Sequence, residues 1–190
     1  MRILSTLLLC FTCVVSWAAP IVGGPVNEFS AQTVDGKTVN LSDYKGKIVV
    51  IEWYNPDCPY VKKFYSVGKM QEWQKKVISE GGIWLAVNTG GKIADLAGRA
   101  KSDQVAATAI IDDAAGSLAK RFGATATPHF FVIGADGKLV YKGAIDSITS
   151  TKSEDIEKAK NYVLAAFEAA KAGKAPEETY IIPYGCGVKY

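Results

Sequence analysis

The sequence predicts an α/β fold in which a central mixed sheet is flanked by helices on both faces. Two observations carry this expectation. Short runs of β-branched and aromatic residues alternate with longer stretches whose apolar residues recur at helical spacing. Toward the C-terminus the alternation gives way to two strands joined by a tight turn, then a closing helix. The alternating half requires parallel strands joined by right-handed crossovers, and the hairpin adds antiparallel ones.

In order along the chain, Val26 to Val34 reads as a first strand and Asp35-Gly36-Lys37 as a hairpin turn. Ile48 to Tyr54, with Ile48-Val49-Val50-Ile51 at its heart, reads as a buried central strand that Asn55-Pro56-Asp57 breaks. A helix is expected from about Pro59 to Ser79, with Val61, Phe64, Tyr65, Gly68, Trp73 and Val77 near one face and Gly81-Gly82 as its stop. Ile83 to Asn88 is a second buried strand, Lys92 to Lys101 a helix, Thr108 to Ile111 a short strand and Ala114 to Phe122 another helix. His129 to Ile133 and Lys138 to Lys142 flank the turn Ala135-Asp136-Gly137. Thr151-Lys152-Ser153-Glu154 has the form of a capping box and opens a helix expected to reach about Ala172. Residues 174–190 follow as a polar-aromatic tail containing Pro176 and Pro183.

The chain has 190 residues, with 22 basic residues interspersed among 19 acidic ones. That near-balance predicts neither a nucleic acid nor an anionic membrane as partner. Residues 1–18 stand apart. Arg2 precedes an uncharged apolar run from Ile3 to Trp17, and Ser16-Trp17-Ala18 reads as a small-x-small cleavage site. This is the pattern of a secretory signal peptide, so the protein is expected to be exported, periplasmic or secreted. A membrane is a partner only if the segment stays uncleaved. Cleavage removes Cys10 and Cys13 and leaves Cys58 and Cys186. The expected organisation is a signal peptide at 1–18, a domain at 25–173 and a tail at 174–190 carrying Cys186.

Cys58 directly follows a buried strand and directly precedes a helix. Unpaired N–H groups of the first helical turn, and the helix dipole, are expected to favour its thiolate. Pro59 suits the first helical position, where its missing N–H costs nothing. Lys62 and Lys63 add positive potential, which Asp57 opposes. Thr127-Pro128 stands immediately before the strand at His129, where a proline spares the hydrogen-bond ladder. His129 is the sole histidine and reads as a strand residue near the active face; a multi-histidine metal site is excluded, and no cofactor is implied. No phosphate-loop spacing surrounds Gly81-Gly82 or Gly90-Gly91.

This order of elements, with Cys58 after Trp53-Tyr54-Asn55-Pro56-Asp57 and Thr127-Pro128 before Phe130-Phe131-Val132, resembles the thioredoxin superfamily. It is most similar to the redoxin branch, the alkyl hydroperoxide reductase/thiol-specific antioxidant group. Within that branch it looks like bacterial peroxiredoxin-like, thioredoxin-domain proteins, through Asp57-Cys58-Pro59-Tyr60-Val61 and Gly185-Cys186-Gly187-Val188-Lys189-Tyr190. The likeness covers roughly residues 25 to 190. It implies a thioredoxin-like fold, a cis Pro128 beside Cys58 and a redox-active thiol. Three departures matter. Val61 stands where thioredoxins place a second cysteine, Asn55 stands where peroxiredoxins place a threonine, and only Arg99 and Arg121 remain to polarise a peroxide.

The leading expectation is a thiol–disulfide oxidoreductase with Cys58 as nucleophile. Cys186 or an external thiol reductant resolves the mixed disulfide, and Thr127 and Pro128 position the substrate, a protein or small-molecule disulfide. One rival is a peroxide reductase acting through a Cys58 sulfenic acid. The other is a non-catalytic binding module. Whether Cys186 can reach Cys58 turns on distance. A closing helix of about 20 residues carries the chain roughly 30 Å away, and Lys174 to Gly185 returns at most about 40 Å. The return is nearly taut, and a frayed tail or a bond to a second subunit is the alternative.

Overall fold

The computed structural model describes residues 18–91 and 93–189, so residues 1–17 of the signal segment expected at 1–18, the start of the helix expected at Lys92 and the C-terminal residue 190 lie outside the described residues. Strand β3 (Val49–Trp53) lies in the middle of a six-stranded sheet and is buried along its whole length. It pairs in parallel with β4 (Ile83–Thr89), which pairs in parallel with β5 (Ala109–Asp113). On its other side β7 (Phe130–Ile133) runs antiparallel, and β8 (Leu139–Gly143) runs antiparallel to β7. The sheet is therefore mixed. The first hairpin, β1 (Ser30–Gln32) with β2 (Thr38–Asn40), forms a separate two-stranded sheet around the expected turn, with Gly36 at a φ of 78°. Of the longer strand expected there, Ser30–Gln32 pair with β2, and Thr33 makes an isolated bridge to Ile111.

Because side chains alternate along a strand, β3 supplies two cores. Val50 and Tyr54 face one side together with Val61, Phe64, Met70 and Phe167 from helices. Val49, Ile51 and Trp53 face the other with Phe29, Leu118, Phe122 and Phe131. Each fully buried side chain of this size contributes about 1.5–3 kcal/mol, which pins the strand's register and hence the loop that follows it.

The expected helix from Pro59 to Ser79 is two helices, α1 (Pro59–Tyr65) and α2 (Lys69–Ser79). Gly68 breaks it in the left-handed region, at φ 77° and ψ 2°, a conformation glycine adopts without a Cβ clash. The Tyr65 carbonyl accepts from the Gly68 N–H at 3.2 Å and from the Gln71 amide at 3.0 Å. Helix α3 (Leu96–Ser102) starts at Asp95, whose side chain accepts from the Gly98 N–H, and α4 spans Ser117–Phe122. The expected closing helix is also split. Ser153–Lys158 is a short 3-10 helix, Ala159 is extended, and α5 runs Tyr162–Lys171. Residues 145–147 pair with 160–162 through Ser147 N–Lys160 O and Tyr162 N–Ile145 O contacts, which forces the extended break. Asn161, not Thr151, caps the α-helix, accepting from the Leu164 N–H.

These breaks change the geometry of the tail. α5 has 10 residues, so it carries the chain only about 15 Å. The tail then lies along the sheet edge as β9 (Tyr180–Ile181), parallel to β8, and returns as β10 (Cys186–Gly187). β10 pairs antiparallel with β6 (Ala126–Thr127), with Cys186 opposite Thr127. The tail is held, not frayed. No helix among the described residues is long and apolar enough to cross a membrane.

Candidate active site

The loop between β3 and α1 is fixed by its own polar groups. The Asn55 carboxamide oxygen accepts from the Asp57 N–H at 2.9 Å, and the Cys58 N–H donates to the Asn55 carbonyl at 3.1 Å. Asn88 on β4 donates to the Tyr54 carbonyl at 2.9 Å. Arg99 donates to Asp57 Oδ1 at 2.7 Å and to the Pro56 carbonyl at 3.3 Å. Arg99 thus braces the loop, while Arg121 reaches the Glu28 carbonyl elsewhere.

Cys58 is the N-cap of α1, with Pro59 at the first helical position. Its sulfur makes no capping hydrogen bond. Instead Sγ donates to the Thr127 carbonyl at 3.0 Å, so the expected set of first-turn N–H groups aimed at the sulfur is not formed in this arrangement. Lys62 lies exposed on the outer face of α1. Lys63 turns inward, where its ammonium meets Asp146 at 3.4 Å with both side chains buried, so it does not face the sulfur as expected.

The Thr127–Pro128 peptide bond is cis, and the Thr127 carbonyl is the point where three elements meet. It accepts from Cys58, lies on β6 opposite Cys186, and approaches Gly185 so closely that a Cβ there would sit 2.0 Å from it. Gly185 takes a φ of 133°, and the Thr127 hydroxyl donates to the Cys186 carbonyl at 3.4 Å. Both cysteines are free thiols. Burial, then a hydrogen bond to Cys58 and the charge Cys58 can carry, push the Cys186 thiol up to about 11. Cys58 is only 1 % exposed, whereas Cys186 lines an open cleft of about 410 Å³ together with Tyr54, Asn55, Asn88, Thr89 and Thr127.

His129 is buried just before β7, accepts from the Thr125 N–H at 3.3 Å and lies 4.6 Å from the Phe131 ring. Burial, then the Lys142 charge, hold it down to about 4, so it is neutral at physiological pH. Among the described residues no group of three or more His, Cys, Asp or Glu could hold a metal ion. Sequence reasoning missed Tyr184, whose hydroxyl donates to Asp146, lies 3.4 Å from the Lys63 ammonium and sits two residues before Cys186. Its aromatic character was visible, but its buried partners lie far away in sequence.

A sequence profile of the AhpC/TSA family matches residues 22–142. No curated protein matches the chain. Among solved structures, a hypothetical protein from Sinorhizobium meliloti aligns with a TM-score of 0.73 at 20 % identity, covering 91 % of this chain and 96 % of that one. An uncharacterized conserved protein from Geobacillus kaustophilus aligns with a TM-score of 0.73 at 23 % identity, over 90 % and 92 %. The thioredoxin domain of a thiol-disulfide oxidoreductase from Bacteroides vulgatus aligns with a TM-score of 0.56 at 17 % identity, over 74 % and 98 %. The fold is thioredoxin-like.

Proposed function

The chain belongs to the AhpC/TSA family, and from that premise we propose that it is a thiol–disulfide oxidoreductase with Cys58 as nucleophile and Cys186 as the resolving thiol. The observation that carries this reading is the β6–β10 pairing, which sets Cys186 opposite Thr127 while Cys58 bonds the same carbonyl. Burial and the neighbouring Cys58 raise the Cys186 thiol, which supports Cys186 as the resolving thiol. The Cys58 thiolate attacks one sulfur of a substrate disulfide, forming a mixed disulfide and expelling the other sulfur as a thiolate. Cys186 then loses its proton and attacks Cys58 Sγ. That step forms the Cys58–Cys186 disulfide and releases the second substrate thiolate. The substrate gains two electrons, and an external dithiol returns them to the protein.

Two of the causes that hold the Cys186 proton are Cys58 itself. They vanish once Cys58 is bonded to substrate, so Cys186 becomes more acidic at the step that needs it. Thr127 and Pro128 position the substrate beside Cys58, and Pro59 starts the helix without an unpaired N–H. Export of the protein, from the charge at Arg2, the apolar run and Ser16-Trp17-Ala18, forms part of the same proposal. So do the tail at 174–190 as the carrier of the second thiol, and the domain at 25–173 as its support.

Mass spectrometry tests these points together. Protein from its native host should begin near Ala19. Wild type treated with glutathione disulfide should yield the internal Cys58–Cys186 disulfide, Cys186→Ser should stop at a glutathione adduct on Cys58, and Cys58→Ser should stay unmodified. An adduct on Cys186 in Cys58→Ser at the wild-type rate overturns the assignment. Rapid hydrogen peroxide consumption that needs Cys58, without disulfide exchange, replaces it with peroxide reduction.

A further inference from the structure

The exposed tail has few apolar anchors: Ile182 is 76 % exposed and Tyr180 about half. Its two strand pairings span two residues each. Between them, Tyr184 reaches inward. Its ring stands edge-on to Tyr60 with centroids 5.7 Å apart. Its hydroxyl donates to Asp146 Oδ1, which also accepts from the Ile148 N–H at 3.1 Å. Asp146 Oδ2 lies 3.4 Å from the Lys63 ammonium, itself 3.4 Å from the Tyr184 oxygen and 4.5 Å above the Phe64 ring. The Lys63 and Asp146 side chains are 0 % and 2 % exposed. A buried ion pair needs additional hydrogen bonds to offset its desolvation, and here the tail supplies one of them.

Two features make this contact bear on the thiols. Tyr60 and Lys63 belong to α1, the helix that starts at Cys58, so the tail is docked on the same rigid element that presents the nucleophile. Only Gly185 separates Tyr184 from Cys186, and it is wedged against the Thr127 carbonyl. Fixing Tyr184 therefore leaves Cys186 little slack.

We propose that Tyr184, seated on the buried Lys63–Asp146 pair, is the positioning residue that holds Cys186 at Cys58 and thereby sets the stability of their disulfide. This rests on the reading that Cys58 and Cys186 exchange disulfides. Holding the second thiol close raises its effective concentration. Cys58 is 1 % exposed and Cys186 lies against it, so on this proposal releasing the tail moves two observables in opposite directions. The internal disulfide becomes easier to reduce, and Cys58 becomes easier to reach. General loosening of the fold gives a different pattern, with faster alkylation of both thiols and a lower melting temperature for the reduced protein.

The test is Tyr184→Phe, which keeps the ring on Tyr60 and removes only the hydroxyl. Equilibration with glutathione should give about a tenfold smaller equilibrium constant for the Cys58–Cys186 disulfide, which is about 30 mV less reducing. The mixed glutathione disulfide should resolve about tenfold more slowly. In a Cys186→Ser background, alkylation of Cys58 by iodoacetamide should be several-fold faster with Tyr184→Phe than without it. An unchanged potential and resolution rate in Tyr184→Phe, with the wild-type disulfide forming normally, overturns the anchor alone. A wild-type protein in which Cys58 and Cys186 never pair overturns both the anchor and the function it serves.

Discussion

Glu52 sits in the middle of β3 with no exposed surface, an expensive place for a carboxylate. Three donors surround it: Trp84 Nε1 at 2.8 Å, the Tyr65 hydroxyl at 3.0 Å and Gln74 Nε2 at 3.2 Å. Burial outweighs them and raises the carboxyl from 4.5 to about 7. The sign follows from proton counting. Between these two values the folded protein binds the proton and the unfolded chain does not, so stability falls as pH rises and levels off above about 7. The shift corresponds to about 3 kcal/mol lost over that interval. Denaturant titrations of wild type and Glu52→Gln, both reduced, at pH 4.5 and pH 8 measure it. The gap between them should narrow or reverse toward high pH, because the substituted amide carries no charge to bury; parallel pH dependences in the two proteins would falsify this. No sequence pattern pointed to Glu52, since its position in an apolar run is explained only by donors drawn from α1, α2 and β4.

At the scale of elements, the β6–β10 pairing decides whether the second thiol is present at the first. It is two residues long, and Gly185 is its weak point to mutation. An alanine there combines a φ of 133° with a Cβ 2.0 Å from the Thr127 carbonyl, so it must push β10 off β6. Gly185→Ala should retain the fold and the first attack by Cys58 while slowing internal disulfide formation at least tenfold, read by quenched mass spectrometry of the glutathione adduct. Resolution at the wild-type rate would show that the pairing does not deliver Cys186. The strand cores, the turn at Gly36 and the position of Cys58 were legible because local periodicity and turn residues specify them. The helix lengths were not. Gly68 fits an apolar helical face in the sequence yet takes the left-handed conformation that separates α1 from α2. The break before α5 comes from pairing between residues 145–147 and 160–162 that no local signal announces. The same holds for Tyr184, which lies 38 residues from Asp146 and 121 from Lys63.

Over the whole molecule, the proposed Cys58–Cys186 disulfide would link folding to oxidation. The tail was legible as carrying a cysteine, but its route was misjudged because α5 is half the expected length and the return is braced on the sheet edge. Lys160 pairs with Glu177 at 2.8 Å and Glu178 at 2.6 Å, and β9 lies along β8, so the path home is marked at several points. A bond from Cys58 to Cys186 closes a loop of roughly 130 residues. The chain-entropy relation assigns such a loop about 5 kcal/mol of stabilisation, through the unfolded state, less any strain on forming the bond. Thermodynamic closure then requires that folding stabilise the disulfide by the same amount that the disulfide stabilises the fold. Denaturant titrations of the oxidised and reduced wild-type protein should therefore differ by up to about 5 kcal/mol, with oxidant leaving Cys186→Ser unchanged. The internal disulfide should also be correspondingly harder to reduce in the folded protein than in denaturant. Equal stabilities of the two wild-type forms would mean that strain at the Thr127 crossing cancels the loop constraint, and the pair would then act as a labile disulfide oxidant instead of a dithiol reductant.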